Sequence, residues 1–143
     1  MSNFNKNLNE VDVTQLIPQR TPIVMVDALF NYTDKEVTSG LTVKNGNIFL
    51  KNNTFREPGL IEHMAQSVAL HTGYQYFLKN KPAPTGYIGA IKSVKITTLP
   101  QVNDKLVTTV SILHEIMGVT LVKINTAVNN TIIATAEMKT VVV

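Results

Sequence analysis

The feature that most constrains this chain is a helical stretch over residues 58–78 that is apolar on almost every face. Pro58 suits the first turn of a helix, no further proline follows within the stretch, and Pro82 and Pro84 come soon after it and would end a helix. Its apolar and small residues recur every three or four positions, and other apolar residues lie elsewhere on the helical wheel. A helix that is apolar nearly all round is usually buried. The pattern therefore predicts one long central helix around which the rest of the chain packs.

Most of the remaining chain has the alternation and the β-branched content of strands. The predicted strands cover residues 23–32, 37–43, 87–98, 105–115, 119–128 and 131–143. A short helix is predicted over residues 12–17, capped by Asp12 or Thr14, and residues 47–57 are predicted to form a loop. Two strands, one buried helix and four antiparallel strands pack most simply as a curved sheet wrapped around the helix. We therefore expect an α+β fold of the hot-dog type.

Composition excludes several classes of function. The 143 residues contain no cysteine, which excludes disulfides, a thiolate nucleophile, iron–sulfur clusters and cysteine-ligated zinc. A metal site built from histidines would use almost all of the three that are present, so we expect neither a metal nor a cofactor. The net charge of +3 is mildly basic but lacks the clustering of a nucleic-acid-binding protein, so no nucleic-acid partner is expected.

Length and hydropathy predict how the chain is organised. We expect a polar tail over residues 1–10 and a single domain over residues 11–143. No segment approaches the ~20 apolar residues that span a membrane, and the first residues lack the apolar core of a signal peptide, so a cytoplasmic location is expected. The charged fraction of 16% is low, which indicates that another subunit covers part of the surface.

Glu62 interrupts the apolar pattern of the predicted helix, and Gln66 follows one turn later. A carboxylate in the first turns of a buried helix is costly unless it is paired or used. Backbone N–H groups near Gly59 could hold a developing oxyanion on a thioester carbonyl, within one turn of Glu62. The alternative is that Glu62 caps the helix or pairs with Arg56 or Arg20 and has no further role.

Three segments resemble one family. Residues 58–66, Pro-Gly-Leu-Ile-Glu-His-Met-Ala-Gln, resemble the helix start of hot-dog β-hydroxyacyl-acyl-carrier-protein dehydratases. Residues 16–27 are similar to the family's N-terminal segment with its Pro-His-Arg motif, and residues 87–100 to its Ala-Gly-Ile-Asp strand. The dehydratase-like branch from aryl-polyene-type pigment clusters is the nearest resemblance, since its Glu-Tyr-Met-Ala-Gln-Ala-Val-Ala helix matches residues 62–69.

The resemblance implies that a β-hydroxyacyl thioester on acyl carrier protein is dehydrated to an enoyl thioester. In the family a histidine removes the α-proton, a glutamate of the other subunit handles the hydroxyl, and a glycine amide polarises the carbonyl. Carried over by position, these roles make Glu62 and Gly59 the candidate catalytic residues. The candidate substrate-binding residues are Gln19, Arg20, Phe55, His63, Gln66, Gly89 and Ala90.

The chain departs from the family where the catalytic histidine is expected. The loop before the helix reads Asn-Asn-Thr-Phe-Arg-Glu over residues 52–57, and Gln19 stands at the histidine of Pro-His-Arg. His63 points ~100° away from Glu62 around the helix, and it either replaces the missing base or packs in the core. His71 lies on a similar face without a further metal ligand, and His114 is expected on the surface.

Three functions remain open at this point. The chain is a dehydratase-like protein for thioesters of acyl carrier protein or coenzyme A, a thioesterase that uses Glu62 to activate water, or a non-catalytic acyl-binding subunit. A homodimer, or a heterodimer with a hot-dog paralogue, is expected, with its strands joined into one sheet across the two-fold axis. Four basic residues could attract an acidic carrier protein or a coenzyme A phosphate, namely Arg56, Lys92, Lys95 and Lys105.

Overall fold

The computed structural model describes residues 8–142, except for the side chain of Asn9. At its centre is the helix α1, Glu57–Leu78, whose 22 residues confirm the predicted central helix and begin one residue earlier than expected. Pro58 therefore lies in the first turn, where its missing N–H costs no helical hydrogen bond. Within the described residues, no helix is long and apolar enough to cross a membrane.

Eight strands accompany the helix. They are β1 (Ala28–Thr33), β2 (Glu36–Thr42), β3 (Leu50–Lys51), β4 (Thr54–Phe55), β5 (Gly86–Ile96), β6 (Lys105–Ile116), β7 (Val119–Val128) and β8 (Thr131–Val142). Six of them form one antiparallel sheet in the order β1-β2-β6-β7-β8-β5, and β3 and β4 form a separate hairpin. This sheet and the single long helix confirm the predicted hot-dog fold.

The core lies between the helix and one face of the sheet. Val37 and Leu41 of β2, Val122 and Ile124 of β7, and Met138 of β8 are all buried, whereas their neighbours Thr38 and Lys123 are more exposed. This two-residue alternation gives the sheet one apolar face. The helix contributes buried side chains from several sides of its circumference, including Leu60, Met64, Leu70 and Tyr74. A helix that is enclosed in this way needs no single apolar stripe, as its sequence indicates.

The first predicted strand and the predicted loop differ from the structure. β1 begins at Ala28 instead of residue 23. The Met25 N–H and the Ile23 carbonyl are hydrogen-bonded to the Gln66 side chain of the helix, so they do not pair with a strand. The predicted loop over residues 47–57 contains the β3–β4 hairpin. Asn52 and Asn53 form its turn with φ values of 52° and 64°, a left-handed conformation that asparagine tolerates better than most residues.

The N-terminal segment is packed more fully than the sequence indicates. The predicted helix over residues 12–17 is a single 3₁₀ turn, Val13–Gln15, and Asp12 caps it by accepting a hydrogen bond from the Thr14 amide at 3.0 Å. Another 3₁₀ turn covers Leu8–Glu10. Leu8 is 2% exposed and belongs to the core, although it lies within the predicted polar tail. Residues 1–7 of that tail are outside the described residues.

The sheet ends at two edge strands, β1 and β5, and the β5 side is called the open edge. Within the described residues, β5 pairs along one side with β8 and has no strand on its other side. Tyr87, Ile88 and Ile91 of this strand are 61%, 42% and 46% exposed. A long apolar edge strand of this kind is a ready surface for pairing with another chain.

The contact between the N-terminal segment and the helix gives a test of the fold. A Cβ at Gly73 would collide with the backbone carbonyl of Leu16. We expect Gly73→Ala to lower the free energy of unfolding by about 1–2 kcal/mol, since the overpacking cost exceeds the gain in helix propensity. Urea denaturation measures the change.

Gly86→Ala is the matched control, because the nearest atom to its added Cβ is the Val141 carbonyl oxygen at 3.7 Å. This variant should stay within about 0.5 kcal/mol of the parent protein. Equal stabilities of the two variants would contradict the close packing of residue 16 on the helix.

Candidate functional site

A cavity of about 530 Å³ lies against one face of α1. Its helical lining includes Glu62, Ala65, Ala69 and Gly73, which share one face because they are three or four residues apart. At 1.5 Å per residue, the lined face is about 16 Å long. Residues 14–20 line the cavity from one segment of the chain, and residues 82–88 with two residues of β8 line it from another. The cavity is therefore a groove whose floor is the small-residue face of the helix.

Glu62 lies in the groove and is held by a single neighbour. Its side chain is half-buried, and its Oε2 accepts a hydrogen bond of 2.8 Å from the Gln66 amide nitrogen. Gln66 is 1% exposed, and its own oxygen accepts from the Met25 backbone N–H at 2.6 Å. Its nitrogen also donates to the Ile23 carbonyl at 2.9 Å. These contacts fix the orientation of the amide, so the Glu62 Oε1 is the oxygen left free to meet a ligand.

Neither arginine proposed as a partner of Glu62 binds it. Arg20 donates through Nη1 to the carbonyls of Ile17 and Gln19, both at 2.8 Å. Arg56 pairs with Glu57 at 3.1 Å, and both side chains are about half exposed. No ion pair within residues 8–142 includes Glu62. The alternative in which Glu62 caps the helix or pairs with Arg56 or Arg20 is therefore wrong, because no side chain caps the start of α1 either.

Gly59 has a different role from the one expected. Its N–H donates to the Arg56 carbonyl at 3.0 Å, and the Leu60 N–H shares the same acceptor at 3.2 Å. A Cβ at Gly59 would lie 2.5 Å from Phe49 and 2.7 Å from Phe55. The expectation of a free oxyanion-binding amide is corrected by these contacts, because the glycine allows two aromatic rings to pack on the helix start.

His63 is part of the core and not of the groove. Its Nδ1 lies 2.7 Å from the Met25 carbonyl, which can only accept, so Nδ1 is the donor. Its Nε2 therefore accepts from the Thr108 hydroxyl at 2.7 Å, and Thr108 in turn contacts Thr126 at 2.7 Å. Burial lowers the pKa of His63 to about 4. Of the two roles considered for this histidine, the packed one is correct, and its assignment to substrate binding is corrected.

The other sequence-predicted residues divide into two groups. Gln19, Arg20 and Gln66 line the groove together with Glu62. Phe55 is fully buried beneath Gly59, and Gly89 and Ala90 are exposed on β5 outside the groove lining. The Phe55 assignment is corrected because its ring is used in the core.

The remaining histidines also lie away from the groove. His71 is buried, its Nε2 donates to the Thr33 carbonyl at 2.8 Å, and its ring stacks on Tyr32. His114 is exposed on β6, as the sequence predicts. Within residues 8–142, Glu62 is thus the only acid that lines the groove, no histidine lines it, and no three His, Asp or Glu side chains converge as metal ligands.

Several lining residues were not predicted. Thr72 and Thr140 contribute hydroxyl groups, and Pro82 and Pro84 contribute apolar surface. The proline pair was visible in the sequence only as a helix-ending signal. Thr140 carries no local signal, since it reaches the groove through the pairing of β8 with β5.

A family model of ApeP-like dehydratases, described as "ApeP dehydratase", matches residues 11–143. The chain belongs to this family. The match covers the whole predicted domain and includes both the groove-lining helix and the N-terminal segment. This confirms the resemblance to dehydratase-like hot-dog proteins on which the sequence analysis relied.

Individual proteins similar to this ApeP-like chain agree with that result. The 3-hydroxyacyl-[acyl-carrier-protein] dehydratase FabZ of Aeromonas hydrophila is 26% identical over 96% of this chain and 95% of its own length. The dehydratase heterocomplex ApeI:P from Xenorhabdus doucetiae matches in structure with a TM-score of 0.86 and 17% identity, over 93% of this chain and 91% of that one. A hypothetical thioesterase with coenzyme A from Streptococcus pneumoniae has a TM-score of 0.65 and 12% identity, over 80% and 84% of the two chains. At these identities the structures show the shared fold.

The burial of His63 predicts how the stability of this ApeP-like protein depends on pH. The pKa of His63 is about 4 in the folded protein, against an ordinary value of 6.5. Between these values the unfolded chain binds a proton that the folded chain does not, so stability decreases as pH falls from 6.5 towards 4. We expect a loss of about 3 kcal/mol from this group over that interval, measured by urea denaturation at several pH values.

His63→Gln should flatten this pH dependence, whereas His114→Gln at an exposed position should leave it unchanged. A lowered pKa of His71, caused mainly by its burial, accounts for part of any remaining slope. Titration of the His63 ring by NMR in the native protein gives an independent readout. A ring that gains its proton near pH 6.5 would refute the assigned burial.

Proposed function

We propose that this chain supplies the acid of a dehydratase site for 3-hydroxyacyl thioesters of acyl carrier protein, and that a second hot-dog subunit supplies the base. The observation that carries the proposal is a groove in which Glu62 is the only acid and which no histidine of the described residues lines. Membership of the ApeP-like dehydratase family supports the reaction class. The 3-hydroxyacyl-carrier specificity in the name of the FabZ relative supports the substrate class.

The chemistry needs two opposed proton transfers. A base removes a proton from C2 of the thioester, the C2–C3 double bond forms, and the C3–O bond breaks as the hydroxyl takes a proton and leaves as water. Glu62 is suited to the second transfer, because Gln66 holds its Oε2 and leaves Oε1 to carry the proton. The products are an enoyl thioester, water and a protonated base that returns its proton to Glu62 through solvent.

The position of the groove explains how a second chain would complete the site. Tyr87 and Ile88 line the groove and also belong to the open edge strand β5. A subunit that pairs along this edge would extend the sheet and border the groove with its own side chains. The heterocomplex in the name of the ApeI:P structure supports an assembly of two different hot-dog chains.

A thioesterase is the second candidate. A single carboxylate can activate water to attack a thioester, and this chemistry needs no histidine in the groove. The single acid of the groove is compatible with this reaction, whereas membership of the ApeP-like dehydratase family favours the shared dehydratase site. The two reactions differ in their products, since a thioesterase releases a free thiol and a dehydratase releases none.

Glu62→Gln tests the assigned acid. We expect this variant, assembled with the hot-dog subunit that co-purifies from the native host, to form enoyl thioester from 3-hydroxyacyl-carrier protein roughly 10²- to 10⁴-fold more slowly than the parent. The amide has the shape of the carboxyl group but donates no acidic proton. Enoyl absorbance and free thiol are measured in the same reaction.

Glu57→Gln is the matched control, since it removes a carboxylate from the same helix start at a surface pair. Its rate should stay within a few fold of the parent. Thiol release that depends on Glu62 would favour the thioesterase instead, and full dehydratase activity of the chain by itself would exclude a base from another subunit.

A charge on the open edge tests the partner surface. We expect Ile91→Lys to abolish co-purification of the second subunit and to lower dehydratase activity by the same proportion, because it places an ammonium group where the partner strand would pack. Light scattering of the purified protein and pull-down from the native host measure the loss.

Ile132→Lys is the matched control, because Ile132 is 54% exposed on β8 near the opposite end of the strand from the groove-lining Val142. It should leave both assembly and activity unchanged. Loss of assembly in both variants, or in neither, would contradict pairing through β5.

A further inference from the structure

One residue of the groove lining carries a buried polar atom without a partner. The Oε1 of Gln19 is closed off from solvent and accepts no hydrogen bond from any group within residues 8–142. Its residue lines the same groove as Glu62. A buried acceptor without a donor is unfavourable, and native proteins rarely retain one without a reason.

The backbone around Gln19 is fixed in place before any ligand binds. The Arg20 guanidinium bonds the carbonyls of Ile17 and Gln19, and the Ile23 amide closes a turn on the Arg20 carbonyl at 2.9 Å. Gln66 then ties Ile23 to the helix at the position of Glu62. The segment that carries Gln19 is therefore held in place by hydrogen bonds, and Gln66 links it to the Glu62 carboxyl group.

The chemistry of the atom restricts what can satisfy it. An amide oxygen accepts hydrogen bonds and cannot donate them, so its partner must carry an O–H or an N–H. In the reacting part of a 3-hydroxyacyl thioester, the carbonyl oxygen and the sulfur only accept. The 3-hydroxyl is the one strong donor in that part of the substrate. Because Oε1 is closed off from solvent, the Gln19 amide must rotate about its broad terminal torsion to bring this oxygen to a ligand in the groove.

We propose that Gln19 accepts a hydrogen bond from the 3-hydroxyl of the substrate and thereby selects 3-hydroxyacyl thioesters over their saturated counterparts. This rests on the proposed function. With its hydrogen directed to Gln19, the hydroxyl keeps its oxygen lone pairs for the proton that Glu62 donates. A site built to bond a hydroxyl discriminates against an analogue without it, because its buried acceptor then stays unpaired.

The test compares two ligands that differ only in the hydroxyl. Binding of 3-hydroxyoctanoyl-pantetheine and octanoyl-pantetheine is measured by calorimetry on the assembled protein, with Glu62→Gln in every sample to stop turnover. We expect the hydroxylated ligand to bind about 2- to 12-fold more tightly, the effect of one net hydrogen bond. Adding Gln19→Met should reduce this ratio to about 1 and leave the affinity for octanoyl-pantetheine unchanged.

Gln75→Met is the control, since Gln75 lies on the same helix as Glu62 but does not line the groove. It should keep the full ratio. The melting temperature of Gln19→Met should be equal to or above that of the control, because methionine removes an unpartnered acceptor of similar size.

The outcomes separate this inference from the proposed function. If both ligands bind with equal affinity and Gln19→Met changes neither, the role of Gln19 is refuted while the proposed function stands. If Gln19→Met weakens both ligands equally, the residue contacts another part of the ligand, and selection through the hydroxyl is refuted. If neither ligand binds to any variant, the proposed function fails as well.

Discussion

The arrangement of the groove depends on the side-chain amide of Gln66. This group is buried where residues 23–25 contact the central helix. It is hydrogen-bonded to the Met25 N–H, the Ile23 carbonyl and the Glu62 carboxyl at the same time. It therefore joins residues 23–25 to the central helix and positions Glu62 in the groove. Because both ends of the amide are used, neither the wall of the groove nor the carboxyl can shift without breaking a buried hydrogen bond, which is costly.

Two of the three histidines, His63 and His71, are buried in the fold, and none of the three lines the groove. His63 joins the same segment to β6 through Met25 and Thr108, and His71 holds the β1–β2 turn through the Thr33 carbonyl. Burial keeps both rings neutral by lowering the pKa of each. In the proposed dehydratase reaction, the base would come from a second subunit that pairs with the open edge at β5.

In the proposed dehydratase, one partner subunit would both cover the open edge and complete the groove. β5 leaves one side of its backbone unpaired and exposes three large apolar side chains. A subunit that covers this strand removes apolar surface from water and closes the groove in the same step. Assembly and catalysis would therefore be coupled, because the subunit that pairs with β5 would also supply the base of the reaction.

Periodicity and turn chemistry predicted the long helix and the four strands after it, because these depend on local spacing that the sequence displays, and the family followed from the resemblance of three motifs. The same reasoning placed Glu62 and Gln66 together, since one helical turn separates them. It misplaced Gly59 and Phe55, which pack against each other, and it left the role of His63 open, because the burial of a residue depends on partners distant in sequence. Only the tertiary structure decided that Gln19 meets no donor and that Thr140 reaches the groove. Which polar groups are paired is set by long-range packing, and no local pattern records it.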